Sequence, residues 1–288
     1  MANPHDHRPG DPHSLHPPGI EERSYTGLAG VPLVELANVS NSYGATPALT
    51  NVSLKIWPGQ FMAIVGPNGG GKTTLLRTIL GAISTTTGKV LLRGRESKRS
   101  ALERIGYVPQ LETIDWNFPI TVEEVISMGF FVKSRWFGGI GEKEKRKLQE
   151  IMKRLNLDGL GARHIRELSG GQQQAAFIGR ALLGDPELIL LDEPASGLDI
   201  RSRDDVIHFL HEINHQGVAI VLTAHDLNWV AAHLPWAVCL NRRLIAEGPP
   251  NEVFTAKVLQ DVYSGEMVVL HQDGMVMIGE RPHAPHNY

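Results

Sequence analysis

The sequence predicts an α/β fold with a mostly parallel sheet and an α-helical subdomain inserted into it. Three features predict this. Short aliphatic runs alternate with helix-length segments, the pattern of βαβ units. A glycine-rich loop directly follows the aliphatic run Phe61–Val65. Between about Leu111 and Leu168 the alternation of strands and helices gives way to helical segments.

The elements follow in chain order. Residues 1–31 hold Pro4, Pro9, Pro12, Pro17 and Pro18 with few large apolar groups. Such a segment cannot bury enough surface to offset its ordering entropy, so it reads as a disordered tail rich in His and Pro. Its His5, His7, His13 and His16 offer loose transition-metal ligands or simply a polar tail. The stretch from Glu280 to Tyr288, with His283 and His286, is similar. A first strand spans Leu33–Val39 and a second spans about Val52–Trp57, where apolar and polar residues alternate. Trp57-Pro58-Gly59 turns the chain. Phe61–Val65 is apolar throughout, as a strand buried on both faces must be. A helix begins near Lys72 and reaches Leu80, and Lys89–Leu92 and Ile105–Val108 are further strands.

Inside the insert, Thr121–Met128 opens Thr-Val-Glu-Glu, a capped helix start. Glu142–Leu155 is the second helix there, and Gly138, Gly139 and Gly141 break the chain between the two. After Gly184 the alternation resumes with strand Leu188–Leu191, helix Ser202–His215 and strand Val218–Thr223. On that helix His208, His211 and His215 share one face, while Val206, Ile207, Leu210 and Ile213 point elsewhere, so the histidine stripe reads as solvated.

Composition excludes several classes. A chain 42% hydrophobic and 20% charged is an ordinary globular one. A net charge of -3 argues against a nucleic-acid partner held by bulk charge. The lone Cys239, within an apolar run, rules out an internal disulfide, reads as a buried strand residue and fits a cytosolic setting. No stretch approaches the roughly 18 consecutive apolar residues of a membrane span, and no secretion signal opens the chain. Any membrane task would require docking on another chain.

Two motifs carry phosphate chemistry. Gly66-Pro67-Asn68-Gly69-Gly70-Gly71-Lys72-Thr73, followed by Thr74, lies between a buried strand and a helix. This fits a phosphate-binding loop, which defines a P-loop NTPase core. Its glycines let successive N–H groups converge on phosphate oxygens, Lys72 reaches the β- and γ-phosphates, and Thr73 offers an oxygen to Mg2+. Leu188-Ile189-Leu190-Leu191-Asp192-Glu193 is a buried strand that delivers two carboxylates to the ligand-binding edge of the sheet. Asp192 suits Mg2+, and Glu193 suits a general base that polarises water.

Leu168-Ser169-Gly170-Gly171-Gln172 narrows the reading further, because here the chain resembles the ABC ATPase family. The resemblance covers about residues 33–265 with seven motifs in order. It implies an antiparallel β subdomain beside the parallel sheet, an ATPase domain over 32–265 with a helical insert at about 111–168, and a C-terminal extension over 266–288. It implies ATP and Mg2+ as ligands. Ser169, Gly170, Gly171 and Gln172 would form a second γ-phosphate site for the opposite subunit of a head-to-tail homodimer. Tyr43 would stack on adenine, Gln110 would sense Mg2+, and His225 would contact the γ-phosphate. Ser196-Gly197-Leu198-Asp199 would link the two sites. One departure stands out: Ala175 follows Gln172-Gln173-Gln174 where the family often has Arg.

The insert opens Asp115-Trp116-Asn117-Phe118-Pro119 and continues to Met128-Gly129, which resembles the manganese, zinc and iron-chelate importers. That implies a transmembrane permease as partner, a metal-binding protein reached indirectly, and a peripheral position on the cytoplasmic face of the membrane. A soluble ABC protein is the competing expectation, but such chains generally carry two cassettes or a long coiled coil.

Overall fold

The computed structural model describes residues 30–96, 104–132, 141–265, 267–272 and 275–280. The expected tail at 1–31 therefore lies outside the described residues apart from its last two, as do Gly138, Gly139 and residues 281–288.

The chain begins with β1 (Val34–Tyr43), β2 (Thr46–Ile56), β3 (Phe61–Val65), β4 (Thr87–Leu92), β5 (Arg95–Glu96) and β6 (Ile105–Val108). It continues with β7 (Leu188–Leu191), β8 (Ala219–Ala224), β9 (Ala237–Asn241), β10 (Arg243–Gly248), β11 (Met267–Gln272) and β12 (Met275–Glu280). The central sheet has the order β10-β9-β3-β8-β7-β6. Its ladders are parallel except at the β10 edge. A second, four-stranded antiparallel sheet has the order β2-β1-β4-β5.

The apolar runs are continuous because each central strand is covered on both faces. Phe61, Ala63, Val65, Ile189, Leu191, Ile220 and Leu222 enter one core. Met62, Ile64, Leu188, Leu190 and Val221 enter the other, against the antiparallel sheet. Helix α1 (Lys72–Ile79) adds Leu75, Leu76 and Ile79 to that second core.

The first core is closed by helices. They are α2 (Val122–Ser127), α3 (Glu142–Arg154), α4 (Gly170–Leu183), α5 (Ile200–His215), α6 (Leu227–His233), α7 (Pro250–Val253) and α8 (Ala256–Tyr263). The predicted cap at Thr121 is present: its side chain accepts from the Glu124 amide while the Glu124 carboxylate takes the Thr121 N–H. Gly141 caps α3. Trp116 packs edge-on against Phe177 of α4 at 6.3 Å, whereas Phe118 is 62% exposed. Cys239 is buried in β9, as expected. Among the described residues no helix is long and apolar enough to cross a membrane.

Two expectations need correction, the ends of the first two strands and the histidine stripe. β1 runs on to Tyr43 and β2 starts at Thr46, well beyond Val39 and before Val52. Register shifts between Leu36 and Ser42, with Asn38 at φ 52°, break the alternation while the ladder continues to Tyr43↔Thr46. The histidine stripe is not uniformly solvated: His211 is half-buried, its Nε2 is 3.0 Å from the His233 carbonyl oxygen, and its ring meets Phe61 edge-on. Within the expected C-terminal extension, β11 and β12 pair as an antiparallel hairpin that sets Met267, Val269, Val276 and Ile278 against the first core. Asn228 of α6 clasps it, donating to the Ile278 carbonyl and accepting from the Ile278 N–H.

Candidate functional site

The phosphate-loop candidate leaves the end of β3 and feeds α1. Gly71 caps that helix in the left-handed region at φ 94°, where a side chain would also collide with the Ala48 carbonyl. At Gly66 a Cβ would run into the Leu240 carbonyl oxygen. Gly69 turns at φ 74°, and the Gly70 N–H closes back on the Pro67 carbonyl at 3.0 Å. Arg242 N–H holds the Gly70 carbonyl at 2.7 Å, tying the loop to the end of β9.

Lys72 lies folded over this loop, 6% exposed. Its Nζ donates to the Gly66 carbonyl at 2.8 Å and the Pro67 carbonyl at 3.1 Å. Burial pulls its ammonium below the ordinary lysine value, against the opposing pull of Glu193 and Asp192. A desolvated cation whose hydrogen bonds go to two neutral carbonyls has strong reason to take an anion. Thr73 Oγ1 donates to Asp192 Oδ1 at 3.1 Å, and Thr74 is buried behind it.

The parallel sheet delivers the acids. β7 ends at Leu191, so Asp192 and Glu193 emerge at the carboxyl edge of the sheet, beside the loop after β3. Asp192 is buried and also accepts from Thr223 Oγ1 at 2.8 Å. That same hydroxyl oxygen accepts the Glu193 N–H at 2.8 Å. Thr223 thus ties the two acids together, a part that spacing alone did not assign to it. The only signal for it was a hydroxyl in an otherwise aliphatic strand. Glu193 sits at φ 50°, unusual for a residue with a side chain. Its carboxylate is gripped from two sides: Gln110 Nε2 donates to Oε2 at 3.2 Å, and His225 Nε2 makes a close contact with Oε1.

The predicted catalytic set Lys72, Gln110, Glu193 and His225 therefore gathers at one sheet edge with Thr73 and Asp192. Tyr43 is a rim residue, 54% exposed at the β1–β2 turn. The signature segment stands on a separate element. Ser169 caps α4, its Oγ accepting from the Gln172 N–H at 3.4 Å while Gln172 Oε1 takes the Ser169 N–H at 3.1 Å. Ser169, Gly171 and Gln172 line a cleft of about 680 Å³ shared with Ala175, Asp199, Ser202 and Asp205. Asp199 caps α5 by accepting from the Ser202 N–H at 3.0 Å. Arg180, on the last turn of α4, reaches back to the Tyr107 carbonyl at 3.0 Å.

A glycine loop between a parallel strand and a helix, with an acid-tipped strand beside it, defines the α/β P-loop NTPase class. Residues 49–196 match the ABC transporter family profile. The manganese transport system ATP-binding protein MntB of Halalkalibacterium halodurans is 38% identical over 247 residues, 86% of this chain and 98% of that protein. The zinc transport system ATP-binding protein TroB of Treponema pallidum is 36% identical across 81% of this chain and 88% of its own. Among solved structures, the ADP conformation of MJ1267, an ATP-binding cassette of an ABC transporter, superposes with a TM-score of 0.72 at 27% identity, over 82% of this chain and 99% of that one. The chain belongs to the ABC transporter family and carries its ATPase domain.

Proposed function

We propose that the chain is the ATP-hydrolysing subunit of an ABC importer for manganese, zinc or iron. It would act as a head-to-tail homodimer against a separate permease on the cytoplasmic face of the membrane. One observation carries the hydrolytic part: the Glu193 carboxylate is held between Gln110 and His225 at the sheet edge where Lys72, Thr73 and Asp192 converge. The transport systems named for the two relatives above, manganese and zinc, support the cargo. A chelated-iron system protein, YfeB of Yersinia pestis, 32% identical, extends the range to iron.

The residues fit both ligands. Successive loop N–H groups and the Lys72 ammonium suit a triphosphate. Thr73 Oγ1 and Asp192 Oδ1 are neighbouring hard oxygens, a donor set that suits Mg2+. When bound, Mg2+ neutralises phosphate charge. Lys72 then holds the terminal phosphate oxygens and opposes the charge that develops there. Glu193 takes a proton from the attacking water, with its carboxylate aimed by Gln110 and His225. His225, half-exposed just past the end of β8, would contact the γ-phosphate. Tyr43 offers its exposed ring to adenine. The Ser169 cap uses an acceptor lone pair, so the hydroxyl hydrogen remains for the γ-phosphate of a second copy.

Hydrolysis removes the contacts that exist only with the γ-phosphate, so the dimer opens. Motion of Gln110 passes to the helices of the insert, which would dock on the permease. The test is ATPase activity in a reconstituted complex. Binding proteins loaded with Mn2+, Zn2+ or an iron chelate are compared, and one should stimulate turnover several-fold. Equal rates with loaded and empty binding proteins would sink the metal assignment.

A further inference from the structure

Arg203 stands on the first turn of α5, directly beyond the loop of residues 196–199. Asp199 ends that loop and caps the helix. Its Oδ1 accepts the Ser202 N–H at 3.0 Å, its Oδ2 accepts the Ser202 hydroxyl at 2.7 Å, and its carbonyl accepts the Arg203 N–H at 3.0 Å. Arg203 is therefore tied to the end of the loop. Its side chain crosses to α6, where Nη2 donates to Asp226 Oδ2 at 3.1 Å and the guanidinium carbon lies 5.6 Å from the centre of the Trp229 ring. Arg203 Nε is buried without a hydrogen-bond partner, so the hold on Asp226 comes through Nη2.

Asp226 is placed to use that hold. It caps α6, its Oδ1 accepting the Trp229 N–H at 2.9 Å. Each carboxylate oxygen thus has its own donor, one from α6 and one from α5. His225 is the single residue between the end of β8 at Ala224 and this cap, and its ring meets Glu193 Oε1. Glu193, Gly197, Leu198, Arg203, His225 and Trp229 line one cleft of about 200 Å³, so the loop, the guanidinium and the imidazole border the same space. The Arg203–Asp226 pair is partly exposed, at 27% and 48%, and such pairs add little to global stability. Its effect is on position. Without Arg203 the cap rests on one side-chain contact, and looser helix ends open locally. An opening at Asp226 displaces its neighbour His225, and a misplacement of about 1 Å near reacting atoms can cost roughly a hundredfold in rate.

We propose that Arg203 is a positioning residue for His225: by holding Asp226 it sets the imidazole against Glu193 and the terminal phosphate, and it ties that setting to the loop of residues 196–199. The inference rests on the hydrolytic reading above and deepens it.

Arg203→Gln keeps much of the side-chain length and removes the charge. The expected result is a five- to twentyfold fall in kcat for ATP hydrolysis, with KM within twofold of wild type, measured well below thermal unfolding. Arg203→Lys, which can still reach Asp226 with a cation, should recover most of the rate. Asp226→Asn keeps an acceptor for the Trp229 N–H but weakens the pair, so combining it with Arg203→Gln should slow turnover no more than the worse single change. In the chain without nucleotide, the His225 ring resonances, assigned by their loss in His225→Gln, should shift or broaden in Arg203→Gln. An arginine that only supports the fold would lower the melting temperature and leave both kcat and the His225 signal alone. A kcat within twofold of wild type in Arg203→Gln, or losses that simply multiply with Asp226→Asn, overturn the positioning role and leave the hydrolytic reading standing. A wild-type chain that hydrolyses no ATP with Mg2+ overturns that reading, and the positioning role falls with it.

Discussion

Thr223 shows how much one hydroxyl can organise. It donates to Asp192 and accepts from the Glu193 N–H, both at 2.8 Å. Glu193 holds a left-handed backbone that costs a residue with a side chain roughly 1–2 kcal/mol, so something must fix it there. Thr223→Val is close in shape but leaves the Glu193 N–H without its partner and Asp192 short of one donor. The expected cost is about 1–3 kcal/mol of stability, the usual penalty for a buried polar group left unpaired. Turnover should fall by about tenfold, because the Glu193 carboxylate loses its aim, while ATP affinity changes little. Thermal unfolding and steady-state ATPase assays together decide it. A valine variant with wild-type kcat would show that Gln110 and His225 suffice to place Glu193.

At the scale of elements, α5 and α6 join at their far ends through the His211–His233 contact. Burial above all holds His211 below the usual histidine value; its hydrogen bond to the His233 carbonyl opposes this, and the neighbouring His215, His233 and His208 add to it. His233 is likewise lowered by burial and by His208 and Arg203, with Asp204 and Asp226 opposing. A base whose value is lowered by folding binds its proton more readily in the unfolded chain. Its stabilising contribution is therefore complete above about pH 6.5 and is lost as pH falls below that. Melting temperature should drop between pH 7.5 and 5.5, and His211→Gln, which can still donate to the His233 carbonyl, should flatten that drop. Parallel pH profiles for the two chains would contradict the linkage. This contact was hidden in the sequence, since spacing places His211 on a polar stripe but cannot show α6 folding over it. The central strands were legible because burial on both faces leaves no polar residue in Phe61–Val65 or Leu188–Leu191. β1 and β2 were legible only in part, because their bulges interrupt the two-residue period that the eye follows. The phosphate loop and acidic strand end were readable because short contiguous segments carry that chemistry. Thr223 was not, because a threonine in a strand satisfies ordinary packing preferences.

At the scale of the molecule, the proposed phosphate-binding groups are divided between two structural layers. The loop with Lys72 lies at the β3–α1 junction, between the sheets, while Ser169, Gly170 and Gly171 open a helix on the opposite core. Ser169 and Gly170 are exposed, as are Tyr43 and the flanking Ile200, the last at 79%. A second copy related by a two-fold axis would bring the Ser169 cap over the loop of its partner, and each of the two composite sites in their interface would then hold one triphosphate. If both grips act on the γ-phosphate, as proposed, ATP would bind the closed pair far better than the open one, and ADP would not. A ligand must favour one state by about four orders of magnitude to move a pair from mostly open to mostly closed, and two such sites act together. Hydrolysis ends this state, so it should accumulate only when Glu193 cannot activate water. Glu193→Gln with saturating ATP and Mg2+ is expected to run as a dimer in size-exclusion chromatography and as a monomer with ADP. Adding Ser169→Arg, which fills the open cap with a bulky side chain, should return the ATP-bound protein to monomer without loss of ATP affinity for the single chain. If Glu193→Gln stays monomeric at saturating ATP and Mg2+, the two half-sites do not meet across copies and the head-to-tail arrangement is wrong.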